Sequence, residues 1–258
     1  MDWVDLDANE SGGCFIMSYG ESGKGQTVST LKSAPRRVMC AYTEPRDVRR
    51  TCKGNVDLGE MVGEKKAFKI GNPTGFRDLK SFINEGAEIL AANYKTFIVD
   101  TIDFFMNVEL LGAIKKETFK DGTFKSDREL ANELRTDPQG YAGLSSQMIE
   151  FCKTCKAMTA RGMVVIFLAH ETENPKWNME LKLGPSFAGK EFGKNFKGFF
   201  DLIGYVESRY DDDGKKIFPP LISFDEGNDR GYLAKWSGPR LDSYTMPLDW
   251  AEILKKGG

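Results

Sequence analysis

One histidine, His170, occurs in the 258 residues, which excludes a multi-histidine metal centre and any chemistry that needs a histidine pair. Positive charge is not in excess either. Lys plus Arg is 36 against 38 Asp plus Glu, a formal net charge of −2, which excludes a histone-like binder but leaves a local basic groove open. Five cysteines, an odd number, make no disulfide framework. Cys152 and Cys155 form a C-x-x-C without a second ligand pair for zinc, in a segment where i and i+3 share a helix face, so they read as structural. No apolar run approaches the ~20 residues of a membrane span. The opening Met1-Asp-Trp-Val-Asp-Leu-Asp7 is acidic, unlike the basic start of a secretory leader. These absences predict a reduced, cytoplasmic protein with no membrane partner.

What is present is an alternation of strands and helices. Short apolar runs at 14–19, 38–42, 96–99 and 163–169 lack polar alternation, as strands buried on both faces do. Helical patterns at 26–33, 76–93 and 144–159 lie between them. The expected fold is a three-layer α/β domain with a mainly parallel sheet and right-handed crossovers. Beyond 169 the pattern turns antiparallel: runs at 202–209 and 217–224 flank Tyr210-Asp-Asp-Asp-Gly-Lys215, a hairpin turn. A short strand at 232–236 and a closing helix at 247–256 complete the expectation of one domain over 1–258, with 1–12 a tail. Segments 111–143 and 171–198 carry few strand or helix signals, and long loops of this kind are functional or disordered.

The strongest local pattern is Gly20-Glu-Ser-Gly-Lys-Gly-Gln-Thr27, followed by Val28, directly after an apolar strand and opening a helix. Glycines there let backbone N–H groups curl around phosphate oxygens at a helix N-terminus. Against G-x-x-x-x-G-K-[ST], the residues Gly20, Gly25 and Thr27 fit, but Gln26 holds the lysine position and a lysine stands two places earlier, at Lys24. Two readings stand: Lys24 reaches over the loop to the phosphates, or the site binds nucleotide weakly or without turnover. The residues Gly20, Glu21, Ser22, Gly23, Lys24, Gly25, Gln26, Thr27, Val28 and Asp100 are the candidate nucleotide contacts. Asp100 ends the apolar Phe97-Ile-Val-Asp100, where an acid would hold Mg²⁺ through its water shell while Thr27 supplies a hydroxyl ligand.

In this order of motifs the chain resembles RecA-like phage nucleotide-binding proteins that act as single-strand annealing ATPases. The resemblance runs from roughly Gly13 to Leu254 and rests on Gly20–Thr27, Met39–Glu44, Ile98–Asp100, Val164–Glu171, Phe199–Tyr205 and Tyr232–Lys235. It implies a RecA-like P-loop fold, ATP with Mg²⁺ as cofactor, and Glu44 as the carboxylate that activates the attacking water. By itself, Glu44 also reads as a surface residue before Pro45. The resemblance makes His170 the γ-phosphate sensor, although a lone strand-end histidine is more often structural. It implies that Lys235 and Arg240 reach a neighbouring subunit's nucleotide, in a homo-oligomeric ring or filament. As bare residues these two read equally as solvated charges.

The resemblance further implies that 111–143 and 171–198 line a path for single-stranded DNA. Lys182, Lys190, Lys194 and Lys197 against Glu191 give a net +3, interleaved with Phe187, Phe192 and Phe196. Lysines on phosphates and an aromatic such as Phe192 under a base are the usual non-specific mode, though these phenylalanines also fit a core. A second basic run, Arg36, Arg37, Arg46, Arg49, Arg50 and Lys53, suits an interface or phosphate contacts as readily as DNA. The implied activity is ATP-dependent single-stranded DNA annealing or recombination of phage type in the host cytoplasm, with a single-strand-binding protein as a further candidate partner. The alternatives are an assembly P-loop protein with decayed hydrolysis, a helicase-type ATPase, or a small-molecule kinase.

Overall fold

The computed structural model describes residues 12–44, 68–71, 91–110, 138–188 and 190–257. Strand β1 (Cys14–Gly20) divides the core by alternation. Its Phe15, Met17 and Tyr19 enter one apolar cluster, while Ile16 enters another across the sheet. Strand β5 (Val164–Glu173) repeats this, with Val165, Phe167 and Ala169 on one face and Val164, Ile166 and Leu168 on the other. A strand buried on both faces has no polar alternation, which is why these runs are unbroken in sequence.

The remaining strands are β2 (Val38–Tyr42), β3 (Phe68–Gly71), β4 (Thr96–Asp100), β6 (Leu183–Pro185), β7 (Leu202–Tyr210), β8 (Lys216–Ser223), β9 (Lys235–Trp236) and β10 (Thr245–Pro247). The sheet order is β10-β8-β7-β1-β5-β4-β2-β3. Strands β7, β1, β5, β4, β2 and β3 run parallel, and β8 and β10 extend the sheet antiparallel. The mainly parallel α/β architecture with an antiparallel extension is therefore as expected. Among the described residues, helices α1 (Gln26–Ser33), α2 (Pro138–Thr159), α3 (Lys190–Asn195) and α4 (Trp250–Gly257) join them. A helical turn at Ile102–Phe104 continues as a π-helix over Phe105–Leu110.

Helix α2 buries Leu144, Met148, Phe151, Cys152 and Cys155 on one face of the sheet, whereas α1 and α4 cover the other. Both C-x-x-C thiols are fully buried, and burial pushes each well above the ordinary thiol range. The pair is core, and no metal-binding cluster of His, Cys, Asp or Glu occurs among the described residues. No helix among them is long and apolar enough to cross a membrane.

Several boundaries differ from the sequence reading. β5 runs on to Glu173 because Glu171, Thr172 and Glu173 pair with β6, a contact that polar residues do not advertise. The segment 171–198 is thus not an open loop but holds the end of β5, β6, α3 and a 3-10 turn at Phe196–Gly198. Helix α2 begins at Pro138, inside the expected loop 111–143, whose residues 111–137 lie outside the described residues. β3 was not expected, and of the helix predicted at 76–93 only 91–93 are described. Of the strand expected at 232–236, only Lys235–Trp236 pairs in a ladder, and Pro247 closes β10 instead of opening the last helix. The hairpin is confirmed: Asp211 N–H donates to the Lys215 carbonyl at 2.9 Å, and Lys215 N–H donates to Asp211 Oδ1 at 2.7 Å.

Candidate functional site

The parallel register brings four strand ends to one edge. Gly20 pairs with His170, Asp100 with Leu168, and Tyr42 with Asp100, so the residues that follow β1, β2 and β4 converge on His170 of β5. The carboxyl ends of parallel strands are where α/β sheets bind ligands. Here they open on a cavity of about 290 Å³ lined by the loop from Glu21 to Val28 together with Asp100, Thr101, His170, Lys216 and Phe218.

The loop closes tightly because two of its glycines admit no side chain. Gly25 has φ +93°, and a Cβ there would meet the Phe218 ring at 2.4 Å. At Gly20 a Cβ would lie 2.4 Å from the Val206 carbonyl oxygen. Gly25 caps α1 and no side chain caps it, so the first N–H groups of the helix, at Gln26–Val28 on the cavity lining, are left without a side-chain acceptor.

The two displaced loop residues behave differently from a lysine at the usual place. The Gln26 amide donates to Ser18 Oγ at 2.9 Å, anchoring it to the buried strand. Lys24 forms an ion pair with Glu21 at 2.6 Å. That contact holds the Lys24 ammonium above its ordinary pKa and the Glu21 carboxyl below the usual carboxylate range.

Behind the loop lies a chain of polar side chains. Asp103 accepts twice from His170, from its backbone N–H at 3.1 Å and, at 3.0 Å, in a contact with Nδ1. The other ring nitrogen, Nε2, stands 3.4 Å from Glu44 Oε1. Thr101 Oγ1 donates to the same Glu44 oxygen at 3.3 Å, and Thr43 Oγ1 donates to the Thr101 carbonyl at 2.7 Å. Glu44, Asp100, Thr101 and Asp103 are all buried, while His170 is part-exposed at the cavity wall. The sequence reading singled out Glu44, Asp100 and His170 and missed Asp103 and Thr101. The only hint was a second acid three places after Asp100.

Thr27 and Asp100 line the same cavity. A hydroxyl and a buried carboxylate are the hard oxygen donors that suit Mg²⁺, which completes its shell with water and phosphate oxygens. The loop and these two donors therefore fit a magnesium nucleotide.

Other expected residues lie elsewhere. Lys235 pairs beside Ile203, near the opposite end of β7, and donates to the carbonyls of Phe200 and Lys197. Arg240 is exposed, and neither residue reaches this chain's own cavity. Phe192 requires correction as a stacking platform. It is 1% exposed and packs against Phe187 and Phe196, because it points from α3 into the apolar cluster on that face of the sheet. Lys182 and Lys190 are exposed, while Lys194 pairs with Glu191 and Lys197 with Glu226. Arg36 caps the far end of α1 through the Leu31 and Lys32 carbonyls, and Arg37 binds the Asn93 carbonyl. Arg46, Arg49, Arg50 and Lys53 lie outside the described residues.

A strand–loop–helix cradle with a buried acid two strands away, on a mainly parallel sheet, defines a P-loop nucleotide-binding protein. Residues 14–237 match the AAA domain family, and the chain belongs to it. No curated protein matches the chain.

Proposed function

We propose that the cavity binds ATP with Mg²⁺ and hydrolyses it, with Glu44 orienting and deprotonating the attacking water. The observation that carries this reading is the convergence of Glu44, Asp100, Thr101 and His170 behind the loop Gly20–Thr27. Thr27 and Asp100 would hold the metal, which supplies charge neutralisation at the phosphates. The loop N–H groups bind the phosphates, and Glu44 accepts the proton of the water as it attacks. His170, braced by Asp103 at the cavity wall, would orient the Glu44 carboxylate 3.4 Å from its Nε2. The test is phosphate release by the purified chain, with Glu44→Gln as control. Release that Glu44→Gln leaves untouched would refute the assignment.

In this reading the activity serves single-stranded DNA. Support comes from continuity: β5 passes from His170 straight into the segment with exposed Lys176, Lys182 and Lys190. Salt-sensitive binding to oligo-dT that strengthens with a non-hydrolysable ATP analogue is expected. No binding at low salt under any nucleotide would sink the DNA role and leave the ATPase standing. Self-assembly belongs to the same proposal, with exposed Arg240 as the cation offered to a neighbour.

One observation favours a second reading, a nucleotide-dependent assembly protein with weak turnover: the Gln26 amide is committed to Ser18. A large gain in turnover in Gln26→Lys would support it.

A further inference from the structure

The described lining of the cavity contains two lysines, Lys24 and Lys216. Lys24 is held by Glu21 at 2.6 Å, and Gln26, at the position where a lysine is usual, turns its amide to Ser18. Lys216 is different. It comes from β8, and its Nζ donates to the Gly23 carbonyl at 2.7 Å with no ion pair to any described residue. It is a cation parked on the crest of the phosphate loop.

Its position is built, not incidental. Phe218, two residues along and so on the same face of β8, lays its ring where a Gly25 side chain would stand. The Lys32 ammonium lies 5.5 Å from the centre of that ring, so the strand is docked on both the loop and helix α1. We propose that Lys216 supplies, from β8 of the same chain, the positive charge that Gln26 does not. In place of the Gly23 carbonyl it would bind the β- and γ-phosphates. This rests on the nucleotide reading above. A phosphate oxygen is a stronger acceptor than a carbonyl, so the exchange replaces a bond to a neutral acceptor with one between opposite charges.

The experiment is equilibrium binding of a fluorescent ATP analogue with Mg²⁺ to the full chain, with competition by ATP, pyrophosphate and adenosine. Lys216→Ala should weaken ATP and pyrophosphate by about tenfold or more and leave adenosine within about twofold, the loss expected for one charge-assisted bond. Lys216→Arg should restore most of the affinity, and Gln26→Lys should rescue Lys216→Ala. Lys24→Ala, whose charge is already answered by Glu21, should lose less. Wild-type ATP affinity in Lys216→Ala would overturn the inference alone. So would an equal loss for adenosine, which would mark a merely structural role. No binding by the wild-type chain would instead overturn the nucleotide reading on which it rests.

Discussion

The strand ends around His170 and the segment 174–200 contrast in what their buried residues do. At the strand ends the buried groups are polar, namely Glu44, Asp100, Thr101 and Asp103; Asp100 and Thr101 line the cavity, and Glu44 and Asp103 flank His170 on its wall. Within 177–196 the buried groups are Trp177, Phe192 and Phe196, joined by part-buried Phe187, which meets Phe192 and Phe196 edge to face as Trp177 meets Phe196. Buried polar groups are costly unless they are bonded or used, so their concentration at one sheet edge points to chemistry. Buried aromatics point to stability. Both regions look functional by composition, and burial separates them.

The largest effect that would break this contrast is at Glu44. Glu44→Gln should lower phosphate release about 10²–10⁴-fold while nucleotide affinity is kept, as for loss of a general base. Equal loss of affinity would show that Glu44 organises the fold instead. Next is Phe192→Ala, expected to cost about 3–5 kcal/mol in urea unfolding because it empties a fully packed site. If it weakens oligo-dT binding without loss of stability, the aromatic cluster is a stacking surface after all. Asp103→Asn comes third. It keeps the shape but removes the charge behind His170, and should lower kcat about tenfold with KM unchanged, a split that general destabilisation would not produce. Exposed lysines should matter less: Lys182→Ala or Lys190→Ala should each reduce the salt slope of oligo-dT binding by about 0.7, one phosphate contact on a single strand. The smallest effect concerns thiols. Burial first, then Asp201, pushes Cys14 up to about 12, so alkylation at pH 8 should leave Cys14, Cys152 and Cys155 unmodified until the chain unfolds.

How much of this was legible in the sequence follows from the range of each interaction. The loop Gly20–Thr27, the strand that ends at Asp100 and the apolar part of the strand that leads to His170 are local patterns, and the structure has them where the pattern puts them, although β5 continues to Glu173. Asp103 is only three residues from Asp100, yet its meaning lies in a contact with His170 across 67 positions. Lys216 is further still, 193 positions from Gly23, and a hairpin strand gives no sign of which loop it will lean on. The phenylalanines fail for another reason. Spaced at 187, 192 and 196 among lysines, they satisfy an inward helix face and a basic aromatic groove equally, and only the packing under Trp177 decides.

The family match stops at residue 237, but the packing does not. Trp250, wholly buried, donates its indole N–H to Thr30 Oγ1 at 3.0 Å and its backbone N–H to Ser33 Oγ at 2.9 Å. Both acceptors sit on α1, the helix that opens at the phosphate loop. The last helix therefore acts as a clasp on the nucleotide cradle. Truncation at the family boundary would uncover the back of α1 and loosen the loop from behind, some distance from any residue that touches phosphate.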